Sequence, residues 1–252
     1  MNVPGSAYDI PGSRMPLYQQ MDSLTLDWIL ATGKNLFGIK PEPMHLHRAL
    51  AAYTHLVESQ ASFFTNHRIA EGIHGLRHCF RVSLLAGHMY LEQLGNDPDY
   101  LVSLLVAGSL HDCRRQNDKT DPEHGRRSAE WFRSHVSSVT SSYGHVSLND
   151  MQVELISTAI AYHDVPDEEI QESMSESCRL AINVIKTADA LDRYRLSKQR
   201  WWINDDFLAL KPDIELKQKA WSFVCQSEAL YLEKTDSVEA LRQLLNECRF
   251  DV

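Results

Sequence analysis

From residue 22 onward, apolar side chains return every third or fourth position, the spacing of helices that bury one face. The clearest run lies within 75–94, where His78, Val82, Leu85 and Met89 form one stripe. Asn96-Asp97-Pro98 breaks it and restarts a second helix, with Asp97 at the N-cap and Pro98 at the first helical position. Along that helix Leu101, Leu104, Gly108 and His111 share one face, and Leu105, Gly108 and Asp112 its neighbour. Asp121-Pro122-Glu123 reads as another cap-plus-proline start, putting His124 at the third position of a helix with Ser128, Trp131 and Phe132.

The polar run 134–149 predicts a long loop, ending at a capping box of Ser147 and Asp150. Val153, Ile156, Ile160 and His163 then form a stripe that stops at Asp164-Val165-Pro166. A fifth helix over about 177–195 aligns Ile182, Ile185, Asp189 and Asp192. Two helices are expected before these, over 22–37 and 44–65, and two after, over 213–233 and 237–248, the last capped by Asp236 with Glu239. No period-two alternation persists, so the pattern predicts an all-α fold. Residues 1–20 read as an irregular N-terminal arm, and 21–252 as a single all-α domain.

The 252-residue composition narrows the function. A net charge of −9 disfavours a general nucleic-acid binder, which needs a positive surface against phosphate. Five widely spaced cysteines without a C-x-x-C pair disfavour a disulfide framework and a thiolate zinc site. No stretch approaches the ~20 apolar residues of a membrane helix, and no secretory leader is legible, which places the protein in the cytoplasm. The sequence specifies no oligomeric state.

Several stripes carry residues that packing alone does not want. His78, His111, His124 and His163 lie on or beside the apolar sides of different helices, and Asp112 and Asp189 join them. Burying such groups unpaired costs several kcal/mol, so a shared partner is the economical reading, and a metal is such a partner. Imidazole and carboxylate without thiolate suit Fe, Mn, Co, Ni or Zn. Adjacent residues sit about 100° apart on a helix, so His111 and Asp112 reach one point only from a helix end.

These residues resemble a family. His78, then His111-Asp112, then a distant Asp189 is similar to the H…HD…D signature of the HD-domain superfamily of metal-dependent phosphohydrolases, whose fold is a helical bundle. His78-x-x-Arg81-Val82, Ala107-Gly108-Ser109-Leu110 before His111, and Ala188-Asp189-Ala190-Leu191-Asp192-Arg193 resemble its local motifs. The likeness covers about 74–195, which would be the HD core between N- and C-terminal helical extensions. His111 to Ala129 further resembles the subset with two extra histidines. By that comparison His78, His111, Asp112 and Asp189 hold one metal, and Asp112 bridges to a second held by His124 and His163. His74, one turn before His78, has the spacing to replace it; the offset from Arg81-Val82 favours His78.

Within four residues of these positions stand Arg77, Arg81, Arg114, Arg115, Arg126, Arg127, Lys186 and Arg193, against Asp121, Glu123, Asp164, Asp167 and Asp192 as further acids. That local excess suits a small anionic phosphorylated substrate. The expected activity is hydrolysis of a phosphate ester, in a nucleotide or a small phosphorylated metabolite, by a metal-activated hydroxide. Asp112, Arg81, Arg115 and Lys186 are the expected catalytic residues and one or two divalent ions the cofactor. Trp201-Trp202 is read as a core anchor for the tail helices. Rival readings are a di-iron HD-fold oxygenase, a non-catalytic ligand-sensing HD module and, more narrowly, an HD nuclease.

Overall fold

Short polar side chains open most of the helices, and buried faces hold them together. The computed structural model describes residues 21–251, so the expected N-terminal arm lies outside the described residues. Helix α1 (Ser23–Phe37) starts where the Asp22 carboxylate accepts the Thr25 N–H, and it ends at Gly38. A helix over 44–65 does not form. In its place stand a short strand, β1 (His45–His47), and 3-10 turns over Arg48–Leu56 and Ala61–Phe63. Met44 and Leu46 point into the core while His45 and His47 point away, an alternation too short to read locally. Its partner is the far end of the chain: β1 pairs in parallel with β2 (Arg249–Asp251).

After α2 (His67–Glu71) comes α3 (Leu76–Met89), in which every residue is buried, charged ones included. It runs through the middle of the molecule and continues as a π turn over Tyr90–Leu94. Helix α4 (Pro98–Leu110) has the expected Asp97 cap and Pro98 start. It crosses α3 so closely that a Cβ on Gly108 would lie 2.6 Å from the Ser83 Cα.

Helix α5 (His124–Ser142) departs from expectation at both ends. Asp121 does not cap it: its carboxylate accepts the Gln116 N–H and pairs with Arg127, so His124 becomes the first helical residue instead of the third. The helix also runs through the serine-rich stretch, with a kink at His135, leaving only 143–149 as loop. The hydroxyls of Ser134, Ser141 and Ser142 bond carbonyls one turn back, and buried Val139 and Tyr143 anchor this end. Helix α6 (Asp150–Tyr162) is capped by a box of Asn149 and Gln152, two residues beyond the expected Ser147.

Helix α7 (Glu176–Asp192) starts at Ser175 and ends in a 3-10 turn, Arg193–Arg195. Helices α8 (Ile214–Lys234) and α9 (Ser237–Glu247) begin at Asp213 and Asp236. The fold is thus all-α: α3, α4, α6 and α7 pack on one another with α5 against α6, and α8, α9 and α1 cover the back. One buried cluster joins side chains from α1 through α9. Trp202 lies in the buried core, where its ring meets Trp28 of α1 and Tyr194, each edge-on. Among the described residues, no helix is long and apolar enough to cross a membrane.

Candidate metal centre

Five helices turn an end toward one point. His78 lies in the first turn of α3, His111 closes α4, His124 opens α5, His163 closes α6 and Asp189 lies in the last turn of α7. Asp112 follows His111 where the chain has left α4, which lets both neighbours face the same place. A Cβ on Gly125 would fall 2.7 Å from the Ile160 carbonyl oxygen, so this glycine lets α5 approach the end of α6 and sets His124 beside His163.

The six predicted side chains come together. His78 Nε2 lies 3.0 Å from His111 Nε2, 3.3 Å from Asp189 Oδ1 and 3.5 Å from Asp112 Oδ2. On the other side, His124 Nε2 lies 3.0 Å from His163 Nε2 and 2.9 Å from Asp112 Oδ1, with His163 Nε2 at 3.5 Å from the same oxygen. Asp112 therefore turns one oxygen to each histidine pair. His74 joins from a different direction: its Nδ1 is 3.2 Å from Asp112 Oδ2 and accepts from Arg195 Nη2 at 3.0 Å.

The outer ring nitrogens decide what the inner ones offer. His111, His124 and His163 each donate Nδ1–H to a backbone carbonyl, of Gly108, Asp121 and Ile160, at 2.7–2.8 Å. His78 Nδ1 faces Asp192 Oδ2 at 2.7 Å. With Nδ1 as donor, a neutral imidazole presents a lone pair on Nε2. Two pairs of Nε2 atoms thus face each other at 3.0 Å with no hydrogen of their own between them, which is repulsive unless a cation or a proton intervenes. Two ligands held about 2.1 Å from a metal at right angles are about 3.0 Å apart. Asp112 Oδ1 is also buried without an aligned hydrogen bond. The buried His and Asp groups could hold a metal ion, in the sets His78–His111–Asp189, His111–Asp112–His163 and His74–His78–Asp112.

Electrostatics treats the two pairs differently. Burial pushes the His111 pKa down to about 3, keeping the ring neutral. For His124 burial acts in the same sense, but the Asp112 carboxylate outweighs it and raises the pKa to about 9. A metal binding there displaces that proton. Asp112 itself is held well below the usual carboxylate range: burial opposes its charge, while Arg115, His111 and His124 favour it.

Behind the histidines lies a closed ion network. Arg81 donates from Nε and Nη2 to Asp192, and from Nη1 to Glu228 at 2.6 Å and Ser227 at 2.8 Å. Arg77 Nε donates to the other Glu228 oxygen at 2.9 Å and its Nη1 to Ser237 Oγ at 2.6 Å. Arg81 is fully buried, so it does not reach a substrate as expected from the sequence; it braces Asp192 behind His78. Glu228 was missed in the sequence, though it sits on the Trp221–Val224 side of α8 and is a lone acid on an apolar stripe, the same signal that marks the histidines.

In front opens a cavity of about 1160 Å³. Of the eight basic residues flagged in the sequence, Arg115, Lys186 and Arg193 line it. Arg77 joins Arg81 at the back, Arg126 pairs with Glu123 and Glu130 on the surface, Arg127 holds Asp121, and Arg114 lies over the Trp131 ring. Arg115 Nη1 is 3.7 Å from Asp112 Oδ2, whereas Lys186 is tied to Asp167 and the Val165 carbonyl at the rim. Two residues without a sequence signal also line the cavity: Arg195, buried between Ile73, His74 and Asp192, and Asp118, whose carboxyl burial raises to about 6. Trp201, expected in the core, lines it as well. Comparison with protein-family models, curated proteins and solved structures finds no match, so the site speaks through its own geometry.

Proposed function

We propose that the chain is a metal-dependent hydrolase of phosphate esters, as the HD-domain resemblance implies. The observation that supports it best is the two facing imidazole pairs on either side of Asp112, of which His124 and His163, with Asp112 and Asp189, line a cavity that also holds arginines. His78, His111, Asp112 and Asp189 would hold one divalent first-row ion, and Asp112, His124 and His163 a second. Such ions, when bound, make water a stronger nucleophile at neutral pH and take up charge on a phosphoryl group.

The remaining tasks fall to the chain. Arg115 and Arg195 orient anionic oxygens beside the cluster. Asp118, whose carboxyl burial raises to about 6, lines the same cavity. Asp164 Oδ2, 3.0 Å from His124 Nδ1, fixes that ring. Five free thiols suit a reducing cytoplasm.

Protein purified without chelator and assayed on a phosphoester panel, with and without O₂, tests the reading. Phosphate release that stops with chelator and returns with added metal is expected. Turnover that needs O₂ and releases no phosphate would assign the site to oxygenase chemistry, and bound metal without turnover of any ester to a sensing module.

A further inference from the structure

A second cavity lies at the other end of the helices that carry the cluster. Its volume is about 660 Å³, inside the roughly 300–1,000 Å³ of small-molecule sites, and it shares no lining residue with the cavity in front of the cluster. The starts of α4, α6 and α7 enclose it, together with Tyr90 from the π turn that follows α3. The same three helices bring His111, His163 and Asp189 to the cluster at their far ends. A helix length of roughly 20 Å therefore separates the two places.

Direct bonds join the walls of this cavity. Tyr100 Oη of α4 donates to the Ser177 carbonyl of α7 at 2.6 Å, and Gln152 Nε2 of α6 donates to the Asp99 carbonyl of α4 at 3.2 Å. The Tyr90 hydroxyl accepts the Asp97 N–H at 3.1 Å, and the Tyr90 and Tyr100 rings lie 5.0 Å apart, tilted by 30°. With both hydroxyls engaged, what the tyrosines leave for a ligand is ring surface. Leu155 adds to it, as does Met151, which is 80 % exposed. Four acids, Asp97, Asp99, Asp150 and Glu154, line the cavity, and no lysine, arginine or histidine does. Arg133 answers Glu154 at 2.8 Å, whereas the other three have no ion pair among the described residues.

Those three acids suit the helix starts on which they stand, since each start carries roughly half a positive charge. Three full carboxylates nevertheless outweigh three such half charges, so the cavity favours a cation and repels an anion. Tyrosine rings attract a cation over their faces as well, and they accept an apolar body beside it. We infer that this cavity binds a small organic cation with an apolar body, such as an aralkyl ammonium, at a site separate from the histidine cluster. Its ammonium group sits among Asp97, Asp99 and Asp150, and its apolar part against Tyr90, Tyr100 and Leu155. An occupant there touches the starts of three helices whose ends carry cluster residues. The inference is independent of the reaction proposed for the cluster.

The test uses three probes of one shape: phenethylammonium, the neutral phenethyl alcohol and the anion phenylacetate. Equilibrium dialysis against the full chain measures affinity. Cys178 locates the bound probe, because it lines the cavity and is the one cysteine of five that is not buried. Its alkylation by iodoacetamide is followed with Cys178→Ser as the blank. The cation should bind about tenfold more tightly than the alcohol, phenylacetate should not bind, and the bound cation should change the Cys178 alkylation rate. The double variant Asp99→Asn/Asp150→Asn, altered only at exposed positions, should lose the tenfold advantage of the cation and keep the affinity for the alcohol. Alcohol or phenylacetate binding as tightly as the cation would overturn the inference, as would no binding of the cation. Cation binding that leaves Cys178 alkylation unchanged, or that the double variant retains in full, would overturn it too.

Discussion

The two sides of the histidine cluster follow opposite rules. Behind it, His78, Asp192, Arg81, Glu228 and Arg77 form a chain in which each charge meets its opposite or a hydroxyl. In front, Asp112 Oδ1, Asp118 Oδ1 and Arg195 Nη1 are buried without an aligned hydrogen bond. Arg195 Nη1 stands 3.3 Å from Asp192 Oδ2, close enough for attraction but poorly directed. Nothing from solution reaches the back, so its charges must be settled by the protein itself. At the front, unsettled donors and acceptors are what a metal and an anion would complete. The contrast teaches where this fold spends its polar groups on rigidity and where it leaves them for a ligand.

The strongest challenge to that contrast is removal of Asp192. Asp192→Ala leaves Arg81 and the His78 ring facing a void and should cost about 3–5 kcal/mol in urea unfolding. Asp112→Ala, equally buried but on the open side, should abolish metal retention, and its stability loss in metal-free protein should fade as pH rises through about 9, where His124 no longer carries the charge Asp112 offsets, while the Asp192→Ala loss persists there. Similar stability losses in the two variants above that pH would erase the distinction. Glu228→Gln comes next: it keeps the shape of the network but withdraws the charge shared by Arg77 and Arg81, at about 2 kcal/mol.

The two sides should also respond oppositely to pH. Burial works against the charges of Asp192 and Glu228, but Arg81, with His78 or Arg77, holds both carboxyls below their usual range. Their contribution is complete above the unfolded carboxylate pKa of about 4 and disappears as pH falls through the lowered folded values. Glu228→Gln should flatten this acid limb of the unfolding midpoint. At the front, the His124 pKa is raised to about 9 despite burial, chiefly by Asp112. Its contribution in metal-free protein is therefore complete below the unfolded value of about 6.5 and is lost as pH rises through about 9. Added metal displaces that proton and should abolish this alkaline limb, which His124→Ala should also lack. The smallest effect is expected from Arg126→Ala on the surface, which should leave midpoint and metal content unchanged and so serves as the control.

The six cluster residues were legible because each is a polar group on or beside an apolar helical stripe, a pattern visible within one helix. The role of Arg81 was not, because its partner Glu228 is 147 positions away. Strand β1 was hidden for the same reason, its partner being the other end of the chain. The serine run in α5 misled through low intrinsic helix preference, which back-bonding hydroxyls and buried Val139 and Tyr143 override. The cavity wall around Trp201 and Phe207 has no periodicity to read; only the folded turns bring it into the cavity that His124, His163 and Asp189 line.

The central claim is that Asp112 joins two histidine pairs into one metal centre. Elemental analysis after saturation with Mn²⁺ and gel filtration measures it directly, in wild type and in Asp112→Ala, His124→Ala and His163→Ala. The account predicts two ions per wild-type chain, about one in each histidine variant and loss of both in Asp112→Ala. Wild type that retains no ion, or an Asp112→Ala variant that retains as many as wild type, would contradict it.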